Sequence, residues 1–362
     1  MNLTCRECGV DFPLESFPHR CLECGGLFGF QDGFDYNSEK IDQDLEGIWR
    51  YRHSFSLPEN APSITLGEGN TPLIWCEAAG KEVGFKLESL NPTGSFKDRG
   101  TAVLISWLLA SGVNNAVEDS SGNAGASFAA YASAVGIKGK VFVPSYASGP
   151  KRSQIEEYGG EVVAVPGPRS NAAAAVLQEV KKGGVYASHA YLPHGTAGIA
   201  TIAYELVRDT GDIPGTIILP VGHGSLLLGI ALGFEALLAG GEISRLPRLI
   251  GVQAASCAPL SKAYDLGSPD PISVDQGQTM AEGVAITEPY HGREVLAAVK
   301  RSGGMILKAE EKDIKYGHRA LAEKGIYVEH TSALIYAGLE QTVLNTPEPI
   351  IAIITGHGLK NG

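Results

Sequence analysis

The chain has 362 residues, of which 44% are hydrophobic and 19% charged, with a formal net charge of −11. One hydrophobic core stops growing at roughly 250–300 residues, so this length predicts two main lobes plus any small appendage. The negative balance excludes nucleic-acid binding through a broad basic surface, although it leaves room for a small basic pocket.

The opening residues, Met1 to Cys8, contain no apolar signal run. The most membrane-like stretch, residues 217–240, is interrupted by Pro220, Gly222, His223, Gly224 and Glu235. It predicts a buried strand and helix, not a membrane span. Six cysteines without a secretion signal favour reduced thiols or metal over disulfides, and predict a cytoplasmic protein. Glycine is abundant, at 46 residues, which suits loops where backbone must approach a ligand closely.

In chain order, the first unit is Cys5-x2-Cys8, then twelve residues, then Cys21-x2-Cys24. Each pair sets two thiolates on one side of a tight turn, and two such knuckles close a tetrahedral zinc site. Four thiolates leave no open coordination position, so the predicted zinc is structural. Unligated thiols or a redox pair are the alternatives. His19 lies between the knuckles and is assigned to the loop. Cys76 and Cys257 have no partner at metal spacing and are expected to be buried apolar residues.

Residues 30–62 are polar and aromatic, with Trp49, Tyr51 and Pro58, and read as a connector around the main body. From about Leu66 onward short apolar runs alternate with amphipathic ones. Strands are predicted at 140–144, 161–165, 216–220 and 350–354, and helices at 171–181 and 312–324. This pattern predicts an α/β fold with mostly parallel sheets, whose ligands sit beyond the carboxyl ends of the strands.

The central stretch is Asn91-Pro92-Thr93-Gly94-Ser95-Phe96-Lys97-Asp98-Arg99-Gly100. A strand-like run, Val83 to Glu88, enters it, and a helical run through Val103, Leu104, Trp107 and Leu108 leaves it. A lysine where strand gives way to helix sits at the positive end of the helix dipole, which disfavours its ammonium. Partial burial beside Phe96 acts in the same direction and makes Lys97 a usable amine, able to form a Schiff base with an aldehyde. A solvated helix-start lysine is the alternative.

Three more segments run strand, small residues, helix or end. Ser120, Ser121, Gly122 and Asn123 follow the strand at Ala116–Val117 and open a small-residue helix, a site for an anion or simply a capped turn. Gly222, His223, Gly224 and Ser225 offer bare backbone and a hydroxyl to a phosphate without any cation. His223 either contacts that phosphate or fills the turn. Thr355-Gly356-His357-Gly358-Leu359-Lys360 ends the last buried strand. Lys151 and Arg152, after Ser148-Gly149-Pro150, are candidate cations for an anionic substrate, or else solvated helix-start charges.

The decapeptide resembles the cofactor-lysine segment of threonine synthases, pyridoxal-phosphate enzymes of fold type II in the tryptophan synthase beta-like superfamily. The resemblance continues through Gly67–Leu73, Ser120–Gly125, Gly222–Ser225 and Thr355–Lys360. It implies a two-lobed enzyme: a ribbon over 1–30, a connector and start of the large lobe over 31–90, a smaller lobe over 91–195, and the large cofactor lobe over 196–362. It further implies that Lys97 is the catalytic lysine and binds the cofactor with Asn123, Gly222, His223, Gly224, Ser225 and Thr355. Asn123 would meet the phenolic oxygen and Thr355 the pyridine nitrogen. Ser120, Ser121 and Gly122 would take the substrate carboxylate.

The implied reaction converts O-phospho-L-homoserine and water to L-threonine and phosphate, in a homodimer. A hydroxyl at the pyridine nitrogen does not hold a proton there as a carboxylate does, so the ring is a mild electron sink that suits elimination and replacement. One region departs from the family. Residues 189–198, His189-Ala-Tyr-Leu-Pro-His-Gly-Thr-Ala-Gly198, lack the Asn-Pro, Glu-Gly and Lys-Thr pattern that carries substrate contacts. Met280–Ile286 and Glu329–Ser332 are similar to amino-acid dehydratases. A threonine/serine ammonia-lyase, or a synthase replacing a β-substituent on another activated amino acid, is therefore the alternative. A binding protein on an inactive body is a third reading, opposed by the intact Lys97, Asn123 and Thr355.

Overall fold

The computed structural model describes residues 2–13, 16–147 and 149–361. The strands in chain order begin with β1 (Leu3–Cys5), β2 (Phe28–Phe30), β3 (Leu73–Ala78) and β4 (Lys81–Lys86). Then come α1 (Lys97–Ala110), β5 (Asn115–Glu118), α2 (Asn123–Ala134), β6 (Lys138–Pro144), α3 (Pro150–Glu157) and β7 (Glu161–Val165). Next are α4 (Arg169–Val180), β8 (Val185–Tyr186), α5 (His194–Thr210), β9 (Thr216–Pro220), α6 (Ser225–Ala239) and β10 (Arg248–Ala254). The chain ends with α7 (Pro259–Asp265), α8 (Gly292–Arg301), β11 (Met305–Ala309), α9 (Glu311–Ala322), α10 (His330–Thr342) and β12 (Ile350–Ile353). The alternation of strand and helix read from the sequence is the observed α/β architecture. None of the described helices is long and apolar enough to cross a membrane, and residues 217–240 form β9 and α6.

Contacts divide the chain into two compact units, one of residues 1–69 and 97–199, the other of residues 70–96 and 200–361. The first unit holds the β1–β2 hairpin and a four-stranded parallel sheet in the order β7-β6-β5-β8. Residues 31–69 contribute buried Trp49, Tyr51 and Phe55 to this unit. They are fixed through Glu68, whose carboxylate accepts from Trp49 Nε1 at 2.9 Å and from the Tyr131 hydroxyl at 2.6 Å. A buried carboxylate needs such donors, since desolvation without them is costly.

The second unit is a six-stranded sheet in the order β11-β10-β9-β12-β4-β3, parallel except for edge strand β3. Strands β9 and β12 lie inside it and are buried at every residue. That is why both read as unbroken apolar runs, as central parallel strands do. On β3 exposure varies along the strand; Cys76 is half-buried there, whereas Cys257 is fully buried. A buried lysine locks the foot of β4: Lys86 Nζ lies 2.7 Å from Glu205, 2.8 Å from Asp209 and 2.7 Å from the Thr71 carbonyl. Three charge-assisted or carbonyl partners use all three ammonium hydrogens.

Candidate active site

In the second unit β9, β12 and β4 are adjacent and parallel, so the segments after them share one edge of the sheet. Those segments are Gly222–Ser225, Thr355 and residues 91–96. Spacing alone could not bring them together; the strand order does. The segment after β4 is held by its own side chains. Asn91 Nδ2 donates to the Glu88 carbonyl at 2.8 Å and to Glu88 Oε2 at 2.9 Å, while Thr71 donates to Glu88 Oε1 at 2.6 Å. Lys360 Nζ donates to the Thr93 carbonyl at 2.6 Å, and the Phe96 N–H to the Thr355 carbonyl at 3.0 Å. The final lysine of the Thr355–Lys360 run thus secures the segment that leads to Lys97.

Thr355 is itself oriented by a residue to which sequence reasoning assigned no role. Ser332, fully buried at the start of α10, accepts the N–H groups of Thr355 and Gly356, each at 3.0 Å, and lies 2.7 Å from Thr355 Oγ1. A serine oxygen has two acceptor positions. Both are taken by backbone, which leaves the Ser332 hydrogen to Thr355 Oγ1 at 2.7 Å or to the Gly356 carbonyl at 3.4 Å. The Glu329–Ser332 string was the only signal for this residue.

Gly224 caps α6 in the left-handed region (φ 101°), and a Cβ there would lie 2.6 Å from Val295 Cγ2. At Gly222 a Cβ would lie 2.8 Å from the Gly283 carbonyl oxygen. Both glycines are required by the turn. No side chain caps α6, so its first-turn N–H groups and the Ser225 hydroxyl form a neutral donor set suited to a phosphate. His223 stacks on Tyr290 with ring centroids 4.5 Å apart, and its carbonyl accepts from the His291 N–H.

In the first unit Lys97 is half-buried at the first position of α1, and Asn123 opens α2. Thr101 and Ser127, each one turn further on, are joined by a 2.8 Å hydrogen bond, and Thr101 Oγ1 donates back to the Lys97 carbonyl at 3.0 Å. Both helices lead into neighbouring parallel strands, β5 and β6. Lys97 and Asn123 therefore lie at the same end of the helix pair. Between β5 and α2 the Ser120 hydroxyl accepts the Gly122 N–H at 3.2 Å, and α2 has no side-chain cap. A Cβ on Gly125 would lie 1.9 Å from the Ser120 carbonyl oxygen, so only glycine permits this turn.

Lys151 and Arg152 open α3. Arg152 is engaged by Glu156 at 3.1 Å and by the Ala147 carbonyl at 3.1 Å. Ser148 lies outside the described residues. Residues 189–198 divide by role. Gly195 and Gly198 seat α5 against α1, where a Cβ would lie 2.9 Å from the Gly100 carbonyl oxygen and 2.0 Å from that of Arg99 respectively. His194 stacks on Trp107 at 3.6 Å, and burial pushes its imidazole down to about 3. His189 is different, because its Nδ1 lies 3.5 Å from Glu118 Oε1. Glu118 is the last residue of β5 and is 1% exposed. Burial first, then the charge of Asp119, hold its carboxyl well above the ordinary range against the opposing pull of Lys97 and Arg169. An acidic pair directly before the Ser120 loop was its only trace in the sequence.

The ribbon brings four sulfurs within 4.8 Å of one another, at Cys5, Cys8, Cys21 and Cys24. The Cys5–Cys24 and Cys8–Cys21 sulfurs approach to 3.4 and 3.6 Å, near the ~3.8 Å edge of a tetrahedron with Zn–S of ~2.3 Å. The knuckles are alike: the Gly9 N–H donates to the Cys5 carbonyl and the Gly25 N–H to the Cys21 carbonyl, both at 2.9 Å, with positive φ at each glycine. This cluster is built to chelate a metal. His19 is outside it, packed 5.5 Å from the Tyr186 ring and 5.4 Å from that of Tyr191.

Residues 64–356 match the profile of a family described as pyridoxal-phosphate dependent enzyme. Among curated proteins, the threonine synthase of Methanocaldococcus jannaschii is 32% identical, covering 99% of this chain and 92% of that protein. The threonine synthase of Methanosarcina acetivorans is 31% identical with the same coverage, 99% and 92%. Among solved structures, a T.th. threonine deaminase superposes with a TM-score of 0.68 at 26% identity, over 79% of this chain and 92% of that one. Maize serine racemase superposes with a TM-score of 0.70 at 21% identity, over 81% and 88%. A half-buried lysine at a helix start, uncharged donors at the start of α6 and this α/β frame agree with those likenesses. The chain belongs to the family of pyridoxal-phosphate-dependent enzymes of fold type II, and carries an N-terminal four-cysteine cluster able to bind a metal.

Proposed function

We propose that this chain eliminates the β-hydroxyl of a small hydroxy amino acid, as a threonine/serine ammonia-lyase, with Lys97 as its acid/base. Pyridoxal phosphate, when bound, supplies the electron sink that acidifies the Cα proton of an amino acid. The chain's own residues do the rest. The Lys97 amine takes the Cα proton, Ser120, Ser121 and Gly122 hold the carboxylate, and Gly222–Ser225 hold the cofactor phosphate. Asn123 and His223 would complete the cofactor contacts, and the Thr355 hydroxyl, positioned by Ser332, would meet the pyridine nitrogen without holding a proton there as a carboxylate does. A mild sink favours loss of a side-chain substituent over transamination.

The observation that carries the choice of leaving group is the engagement of Arg152 by Glu156 and Ala147. A dianionic γ-phosphate needs committed cations, and this candidate already gives its Nε–H and an Nη1–H to partners of its own. The 26% identity to a threonine deaminase supports the same choice.

The second reading is threonine synthase, favoured by the two relatives of that name that cover 99% of the chain, ribbon included. In both readings the four cysteines hold a structural zinc. One assay separates them: purified enzyme loaded with cofactor is offered L-threonine, L-serine and O-phospho-L-homoserine. The lyase reading expects 2-oxobutanoate from threonine and pyruvate from serine. Release of phosphate with threonine from phosphohomoserine, without either oxo acid, replaces it with the synthase.

A further inference from the structure

Elimination of a hydroxyl has a requirement that elimination of phosphate or chloride lacks: the departing oxygen needs a proton. Lys97 is occupied with the Cα proton, so a second acid is needed. In the first unit Glu118 is that kind of group. It ends β5, directly before the Asp119–Gly122 turn, and is 1% exposed. Neither of its carboxyl oxygens has a hydrogen-bond partner among the described residues, an expense that a purely structural carboxyl avoids. Its charged and titratable neighbours are Asp119, next to it in the turn, Lys97 on α1, Arg169 on α4 and His189 after β8, while β6 sets the apolar Val141 beside it. Tyr186 on β8 is taken up by a hydrogen bond with Asp119. Strand register sets Val117 beside Tyr186, so the chain leaving β8 passes the Glu118 end of β5 and brings His189 to it. His189 keeps a quarter of its side chain exposed, which gives the buried acid a path to solvent protons.

We propose that Glu118 is a catalytic acid of this site, recharged through His189, and that it fits the enzyme to a neutral hydroxyl leaving group. The inference rests on the lyase reading. The Cα–H bond breaks with its proton going to Lys97, and its electron pair becomes the Cα=Cβ bond as Cβ–O breaks. The departing oxygen takes the Glu118 proton and leaves as water, and His189 passes a solvent proton back to the carboxylate. Lys97 gives its proton to solvent, and the released enamine takes up water and loses ammonia to give the 2-oxo acid.

The test compares leaving groups in the cofactor-loaded enzyme. Glu118→Gln keeps shape and neutrality but cannot give up a proton. It is expected to slow elimination from L-serine and L-threonine by about 10²-fold or more, while elimination of chloride from β-chloro-L-alanine falls by less than about threefold. His189→Gln is expected to slow hydroxyl elimination with a greater loss as pH rises. Equal losses on serine and chloroalanine, or no loss on either, overturn the acid role while leaving the lyase reading standing. Wild-type enzyme that expels chloride but never water overturns both, and a His189→Gln pH profile parallel to that of wild type overturns the pairing alone.

Discussion

Ser332→Ala is the most informative single change in the second unit. The lost oxygen accepts two buried N–H groups, from Thr355 and Gly356, and contacts Thr355 Oγ1 at 2.7 Å. A buried donor left without a partner costs about 1–3 kcal/mol. With two donors and some tilt of the peptide, the expected loss is about 2–4 kcal/mol. The same change releases the Thr355 hydroxyl from its contact with Ser332, so pyridoxal phosphate should bind about fivefold to tenfold more weakly. Thr355→Val separates the two effects, since it removes the hydroxyl but leaves Ser332 to accept both N–H groups. It should weaken cofactor binding while costing less stability than Ser332→Ala. Urea unfolding of the cofactor-free protein and absorbance titration with pyridoxal phosphate measure both quantities. A stability loss below about 0.5 kcal/mol with unchanged cofactor affinity would refute the proposed orientation of Thr355.

Lys97→Ala is expected to lose the borohydride-reducible link to the cofactor and nearly all turnover; label recovered on another lysine would reassign the centre. Protein purified without chelator is expected to carry one zinc per chain at Cys5, Cys8, Cys21 and Cys24, and elemental analysis finding no zinc would refute this. Chelation should loosen the ribbon while leaving cofactor absorbance largely intact. Burial holds His194 at about 3, below its unfolded value of about 6.5. A depressed pKa contributes stability that is present above about 6.5 and lost as pH falls toward about 3. His194→Leu should flatten the pH dependence of unfolding across that window, and a slope equal to wild type would contradict the assignment.

Features that depend on neighbours along the chain can be read without coordinates. Paired Cys-x2-Cys knuckles with a following glycine set the metal cluster, because each knuckle closes within five residues. Central strands such as β9 and β12 were legible because burial on both faces demands unbroken apolar runs. Lys97 and Asn123 were legible because each marks a strand-to-helix junction that small residues and turns announce. Which of these ends meet is settled by strand order in space. The order β9-β12-β4 sets Gly222–Ser225, Thr355 and residues 91–96 on one sheet edge, although more than a hundred residues separate their members. Ser332, Glu118 and the packing role of His194 emerged at the same level. Each depends on what stands opposite in space: two backbone N–H groups, a histidine from a neighbouring strand's loop, and the face of Trp107. A side chain's own identity does not state its partner, and for a buried polar group the partner fixes the chemistry.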